Sequence, residues 1–284
     1  MAKILYGPET AKALDEKTAE LCTGLKAQGI EPCLAIVRVG EKEADLAYER
    51  GVLKRAEKTG ICTKVFALPE DCAESSLLNE IKKLNEDREV HGILLFRPLP
   101  KHLDESKIMN SILPEKDADG VTDASAVGVY TGREIGYPPC TPDAVMKILE
   151  HSGYETKGRR AVIVGRSLVV GKPLAMMLLK KDATVTVCHT KTINLAFVTK
   201  EADILIAAAG HPKTICAEHV RSGQIVIDVG INTDSEGKLT GDISFEEVEP
   251  IVEAITPVPR GVGAVTVSVL LSHVAQAAEK EIGK

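Results

Sequence analysis

The 284-residue sequence contains no tryptophan, and aromatic residues make up only 3% of it. So few rings leave little from which to build a stacking platform for single-stranded nucleic acid. An excess of positive charge is missing too: 35 Lys and Arg stand against 41 Asp and Glu, a net charge of −6. A mildly acidic chain lacks the basic footprint of a nucleic-acid binder. No apolar run approaches the roughly 20 residues of a membrane span. The opening segment MAKILYGPETAKALDEK holds none long enough for a secretory signal. A cytoplasmic protein with no nucleic-acid and no membrane partner is expected. The seven cysteines (Cys22, Cys33, Cys62, Cys72, Cys140, Cys188 and Cys216) are odd in number and form no C-x-x-C pair. That argues against a disulfide framework and a zinc site, and for reduced, mostly buried thiols. None of the seven histidines falls in an H-x-x-x-H or similar pattern, so no metal is expected.

What is present is alternation. Short β-branched runs (Cys33–Val39, Thr63–Ala67, Gly92–Phe96) are separated by segments of helical period at about 8–28, 43–59, 73–86 and 104–112. The second half repeats the scheme, with strands at Ala161–Gly165, Thr184–Cys188, Ile204–Ala207, Ile225–Val229 and Ala254–Thr256. Its helices fall at about 142–151, 171–180, 192–199 and 264–280. Strand–helix alternation implies an α/β fold of parallel sheets covered by helices. The length suits two domains. Three prolines and a glycine in GYPPCTP, 136–142, mark the boundary, and TPVPRGVG, 256–263, marks a second break. The expected division is 1–139 with 264–284 in one domain and 140–263 in the other.

The segment AVIVGRSLVVGKPLA, Ala161–Ala175, reads as strand, phosphate loop and helix. Gly165 permits a tight turn, Gly171 lets the helix pack close, and Pro173 suits a first helical turn. The G-x-x-x-x-x-G spacing differs from the usual dinucleotide fingerprint and by itself fits an ordinary strand–turn–helix as well. The next strand ends at Cys188 and continues His189-Thr190-Lys191-Thr192. An NAD site commonly carries a carboxylate there for the ribose 2′-hydroxyl. This chain offers hydroxyls and a cation, with Arg166 and Ser167 in the phosphate loop. Such donors suit a 2′-phosphate, so NADP is expected over NAD.

GRSLVVGKP followed by TVTVCHTKT resembles the methylenetetrahydrofolate dehydrogenase/cyclohydrolase family. So do KDADG at 116–120, PCTP at 139–142, DVGIN at 228–232 and TPVPRGVGAVT at 256–266. The resemblance runs from about residue 3 to 280. It implies two α/β domains with a cleft between them, the second a Rossmann-type dinucleotide-binding domain, a folate substrate, and a homodimer. It assigns Gly165, Arg166, Ser167, Gly171, Pro173, His189, Thr190, Lys191, Gly230 and Ile231 to the cofactor. It assigns Tyr48, Val52, Leu95, Phe96, Arg97, Asp119, Pro259, Gly261, Gly263 and Thr266 to the folate, with Tyr48 and Asp119 as the catalytic pair.

The chain departs from the family pattern where hydrolysis needs it. The family's catalytic Tyr is followed four residues later by Lys; here Tyr48 is followed by Val52. Asp45 replaces a frequent Ser, Phe96 a Gln, Arg260 a Gly and Ala264 a Pro. Hydride transfer from the one-carbon bridge needs orientation of donor and acceptor. Cyclohydrolysis needs proton transfer, worth about 10²–10⁴-fold in rate. Among nearby bases, Arg55 shares the face of Tyr48 but stays protonated. Lys54 is turned off that face by about 120°. The expectation is an NADP-linked dehydrogenase with weak or absent cyclohydrolase activity. The alternatives are a bifunctional enzyme, a non-catalytic folate- or dinucleotide-binding paralogue, and an amino-acid or shikimate-type dehydrogenase.

Overall fold

The computed structural model describes residues 1–233 and 237–282. Along the chain come β1 (Lys3–Ile4), α1 (Gly7–Lys26), β2 (Cys33–Val39), α2 (Glu43–Thr59), β3 (Cys62–Leu68), α3 (Glu74–Glu86), β4 (Gly92–Leu95), α4 (Glu105–Met109) and α5 (Asp123–Thr131). After these follow α6 (Cys140–His151), β5 (Arg160–Val164), α7 (Gly171–Lys180), β6 (Thr184–Cys188), α8 (Leu195–Lys200), β7 (Ile204–Ala207) and β8 (Ile225–Asp228). Last are β9 (Asn232–Thr233), β10 (Leu239–Thr240), α9 (Phe245–Val248), β11 (Ala254–Ile255) and α10 (Thr266–Glu279). The periodic segments of the sequence all appear as elements. Helix α5, DASAVGVYT, was not anticipated: its apolar residues follow no helical stripe, and the residues it buries are the small Ser125 and Gly128. The Thr122 hydroxyl caps it by accepting from the Ser125 N–H.

Two compact units result: Met1–Ala11 with Pro139–Thr266, and Lys12–Pro138 with the chain from Val267 onward. The expected division placed residues 264–266 and, more consequentially, residues 1–11 in the other unit. Residues 1–11 belong here because β1 pairs in parallel with β11, Lys3 opposite Ala254 and Ile4 opposite Ile255. A two-residue strand carries no periodicity of its own, so only its partner reveals it.

The unit that includes residues 12–138 is built on a parallel sheet in the order β3-β2-β4. Its middle strand is fully buried at Leu34, Ala35, Ile36 and Val37, as a strand covered on both faces must be. One face of the sheet packs on Leu77 and Ile81 of α3 and on Ile108 of α4. The other unit carries a six-stranded sheet, β1-β11-β8-β7-β5-β6, parallel at every pairing. Strand β7, Ile204–Ala207, is completely inaccessible, whereas the edge strand β6 leaves Val187 exposed. In both sheets the chain runs outward from a central strand, returns and continues on its other side. That reversal opens a crevice outside the carboxyl ends of the strands, beside β2 and β4 in one unit and beside β5 and β7 in the other.

Beyond β8 the larger sheet is finished by two acids. Asp228 accepts from the N–H groups of Gly230 (2.9 Å), Asp242 (3.0 Å) and Ile243 (3.0 Å). Asp242 accepts from the N–H groups of Ala209 (2.6 Å) and Gly210 (2.9 Å) and from the Asn232 amide (2.9 Å). Burial pushes the Asp228 carboxyl up to about 7, against the pull of its backbone donors. Its folded pKa therefore exceeds its unfolded value, near 4. The stability it contributes is full below pH 4 and is lost as pH rises through about 7. In Asp228→Asn that dependence disappears, and an N–H₂ faces the Ile243 N–H. Thermal melts from pH 5 to 8 should show the variant less stable at every pH, with the gap narrowing as pH rises. A constant gap would show that Asp228 does not titrate in this range.

Candidate functional site

Strand β5 enters the phosphate loop at Gly165, whose φ of 139° lies where side chains are strained. A Cβ at Gly165 would be driven into the Ala208 carbonyl oxygen, and one at Gly171 into the Gly165 carbonyl. The two glycines let the loop fold back on itself beside the end of β7, and neither position tolerates even a methyl group. The Ser167 hydroxyl accepts from the N–H groups of Val170 (3.0 Å) and Gly171 (3.4 Å), holding the first turn of α7. Pro173 falls in that first turn, where a missing N–H costs nothing. Register places Val164 opposite Cys188. Arg166 and the pair Thr190–Lys191 therefore stand just past the ends of neighbouring strands, all exposed. His189 is half-buried and its Nδ1 accepts from the Lys191 N–H at 3.1 Å, which shapes that turn.

Past β8, Gly230 is buried and Ile231 is 68% exposed. A Cβ on Gly263 would sit at 3.4 Å from the Ile231 side chain. The structure thus joins the DVGIN and PRGVG motifs within the six-stranded unit. Pro259 and Gly263 are exposed, Thr266 is half-buried and Gly261 is buried. Arg260 keeps a φ of 76° where the family pattern has glycine, and its guanidinium lies 5.3 Å from the Tyr6 ring centre.

In the three-stranded unit a second group gathers at the carboxyl end of the sheet. Tyr48 on α2 meets Phe96, the residue after β4, with ring centres 5.4 Å apart and planes tilted by 47°. Arg97 reaches Asp119 at 3.8 Å. The KDADG run explains how Asp119 is held. Buried Lys116 donates to the carbonyls of Leu84 (2.8 Å) and Asp87 (2.6 Å), and burial lowers its pKa. Buried Asp117 accepts from the N–H groups of Val121 and Thr122 and from the hydroxyls of Thr122 and Ser125. Asp119 is thus presented from a turn whose neighbours are fixed.

Two expected folate contacts lie elsewhere. Leu95 is 3% exposed and belongs to the core with Val37 and Ile93. Val52 has no accessible surface and shares the inward stripe of α2 with Ala56 and Thr59. Tyr48 stands one turn earlier on that stripe, at 41% exposure. Arg55 is engaged as well, donating to the Ser268 hydroxyl at 2.5 Å and pairing with Asp15 at 3.8 Å. The sequence reading missed Arg38 and Glu49. They form an ion pair at 2.9 Å, each less than 15% exposed, beside Tyr48 at the end of β2. A charged residue interrupting the apolar run CLAIVRV just before its end was the available signal. It also missed Asp242, for which the acid in the GDIS run was the only hint.

Two family models match the chain in succession. Tetrahydrofolate dehydrogenase/cyclohydrolase, catalytic domain, covers residues 5–119. Tetrahydrofolate dehydrogenase/cyclohydrolase, NAD(P)-binding domain, covers residues 139–282. The chain belongs to this family. A relative from Clostridium botulinum named bifunctional protein FolD is 49% identical over 280 residues, 99% of each chain. The crystal structure of the bifunctional enzyme FolD, a methylenetetrahydrofolate dehydrogenase/cyclohydrolase from Campylobacter jejuni, superimposes with a TM-score of 0.95. It is 41% identical, with 99% of each chain covered. The Trypanosoma brucei methylenetetrahydrofolate dehydrogenase-cyclohydrolase, complexed with NADP and an inhibitor, gives 0.92 at 34% identity, covering 100% and 99% of the two chains.

The loop generates a direct test. Gly165→Ala should lower stability by about 2 kcal/mol, the cost of a strained backbone position, and should weaken NADP binding at least tenfold (roughly the effect of 1.4 kcal/mol). Denaturant melts and isothermal titration would measure the two. Unchanged affinity would separate this loop from the dinucleotide.

Proposed function

We propose that this chain oxidises 5,10-methylenetetrahydrofolate to 5,10-methenyltetrahydrofolate with NADP, the family's dehydrogenase reaction. The observation that carries the proposal is the glycine loop at the end of β5, closed to any side chain and rimmed by Arg166, Thr190 and Lys191. The fit to a dinucleotide is chemical as well as steric. The N–H groups opening α7 face a pyrophosphate, and the exposed donors suit a 2′-phosphate. NADP supplies the hydride acceptor; every other task falls to the chain. Gly230 and Ile231 border the nicotinamide, and Pro259, Gly261, Gly263 and Thr266 continue that border. In the other unit Tyr48 offers a ring face to the flat parts of the folate, backed by buried Phe96, with Arg97 beside them. Asp119 accepts from the 2-amino group and ring N–H of the pterin. The reacting carbon loses a hydride and no proton, so orientation is what these groups contribute. A homodimer in the cytoplasm belongs to the same proposal. Among the described residues no helix is long and apolar enough to cross a membrane. The exposed edge strand β6, with Ile193 and Phe197 following it, offers a face for a second copy.

The hydrolytic half has two readings. The relatives' name, bifunctional, favours a chain that also hydrolyses the methenyl product, and that reading fits the comparisons better than weak or absent hydrolysis. The expectation of weak hydrolysis rests on residues alone: neither buried Val52 nor Phe96 can move a proton. In a bifunctional chain Tyr48 and Asp119 are the groups we assign to exchange one.

Purified protein given methylenetetrahydrofolate should reduce NADP faster than NAD. Arg166→Ala should raise KM for NADP roughly 10–100-fold, the worth of a charge-assisted hydrogen bond, with little change for NAD. Absence of reduction with both dinucleotides would favour a binding paralogue. Decay of methenyltetrahydrofolate absorbance, in proportion to protein and above buffer, would establish the bifunctional reading. Decay at the buffer rate, accelerated about 10²–10⁴-fold in Val52→Lys, would return the weak-hydrolysis reading.

A further inference from the structure

The connection between β7 and β8 carries a cluster that the dinucleotide and folate do not use. A single 3-10 turn, Ala217–His219, follows Cys216. The Cys216 Sγ lies 3.2 Å from Nδ1 of His219 and 3.8 Å from a carboxylate oxygen of Glu218. We propose that Cys216, Glu218 and His219 form a binding site for a borderline-soft divalent cation of the zinc class. A tetrahedral ion with Zn–S near 2.3 Å and Zn–N or Zn–O near 2.1 Å sets its donors about 3.5 Å apart. The two separations from Sγ bracket that value, and all three donors lie within 4.8 Å of one another, so closing on an ion takes a small contraction of the turn.

Charge and softness agree with geometry. One thiolate and one carboxylate neutralise a doubly charged ion, and a neutral imidazole completes three protein ligands. Thiolate and imidazole prefer zinc or cobalt to magnesium or calcium. The ion takes the place of the Cys216 thiol proton, now directed at the Glu218 carboxylate, and that proton leaves to solvent. Loading costs the Cys216 N–H its present acceptor, Nδ1 at 3.3 Å. The turn is braced from both sides. Ile215, just before it, bridges to Ile243. The His219 carbonyl accepts from the Thr199 hydroxyl at 2.7 Å. Glu247 adds a second carboxylate nearby, within 3.5 Å of the Ala217 N–H and held by the Ser244 hydroxyl at 2.7 Å. Cys216 and His219 also cap the turn reciprocally, which holds the thiol and the imidazole side by side.

Cobalt(II) is the probe, because its thiolate complexes absorb by sulfur-to-metal charge transfer. The full-length, reduced and chelator-stripped protein should take up one Co²⁺ with a charge-transfer band that Zn²⁺ abolishes by displacement. Cys216→Ser should lose the band, and exposed Glu218→Gln should weaken Co²⁺ about tenfold, at least the effect of disturbing a ligand's support. The double variant Cys33→Ser/Cys62→Ser, which removes the neighbouring thiols on β2 and β3, should keep it. Circular dichroism checks folding; if Cys216→Ser does not fold, Glu218→Gln and the double variant decide. Absence of the band, its survival in Cys216→Ser, or its loss in the double variant alone would overturn the proposal.

Discussion

Everything functional in the larger sheet depends on one close approach. The chain leaves β5 at Gly165, passes against the carbonyl of Ala208 at the end of β7, and returns so that Gly171 packs on the Gly165 carbonyl. Only hydrogen fits in both places. Parallel order makes the approach necessary: β5 is flanked by the strand that follows it on one side and by β7 on the other. The loops on the two sides diverge and leave a crevice, whose floor is this backbone. Because the floor is backbone, it can present N–H groups to phosphate oxygens without a side chain in between. Asp242 holds the β7 side of the crevice by binding the N–H groups of Ala209 and Gly210. Asp228 in turn fixes the Asp242 segment.

The smaller sheet uses the same logic with different contents. Its crevice lies beside β2 and β4, and the residues at and past the ends of those strands include Arg38, Phe96 and Arg97. Here rigidity comes from buried charges. Lys116 and Asp117 are hydrogen-bonded inside the unit and hold the turn that presents half-buried Asp119. Removing either buried charge's neutral partners would leave that charge unsatisfied, which is costly, so the half-buried acid before Gly120 has little freedom.

Much of this was legible in the chain because parallel α/β folds write themselves as alternating periods. Strands β2, β4, β5 and β7 are apolar on both faces and announce themselves as unbroken runs. Features with no period of their own were not legible. Strand β1 is two residues whose meaning comes from β11, some 250 positions away. Helix α5 packs through small residues, so it lacks an apolar stripe. At the sites, glycine spacing alone was ambiguous, and the structure gave it a steric reason. Position 52 shows the opposite limit. The sequence marks it as a lost lysine, while the fold shows a valine sealed in the core of its unit beside Ala56. That burial keeps position 52 away from the exposed edge where Tyr48 stands.

Both proposed ligand sites lie at carboxyl ends of strands. Amide hydrogen exchange with and without ligand tests this most directly. NADP should protect Gly165–Gly171 and Ala208–Gly210, and a folate analogue should protect the segment from Phe96 to Leu99 and the turn at Asp119. The amino-terminal ends of the same strands, such as Cys33 and Cys62, should exchange unchanged. Protection at those amino-terminal ends, with none at Gly165–Gly171, would contradict the account.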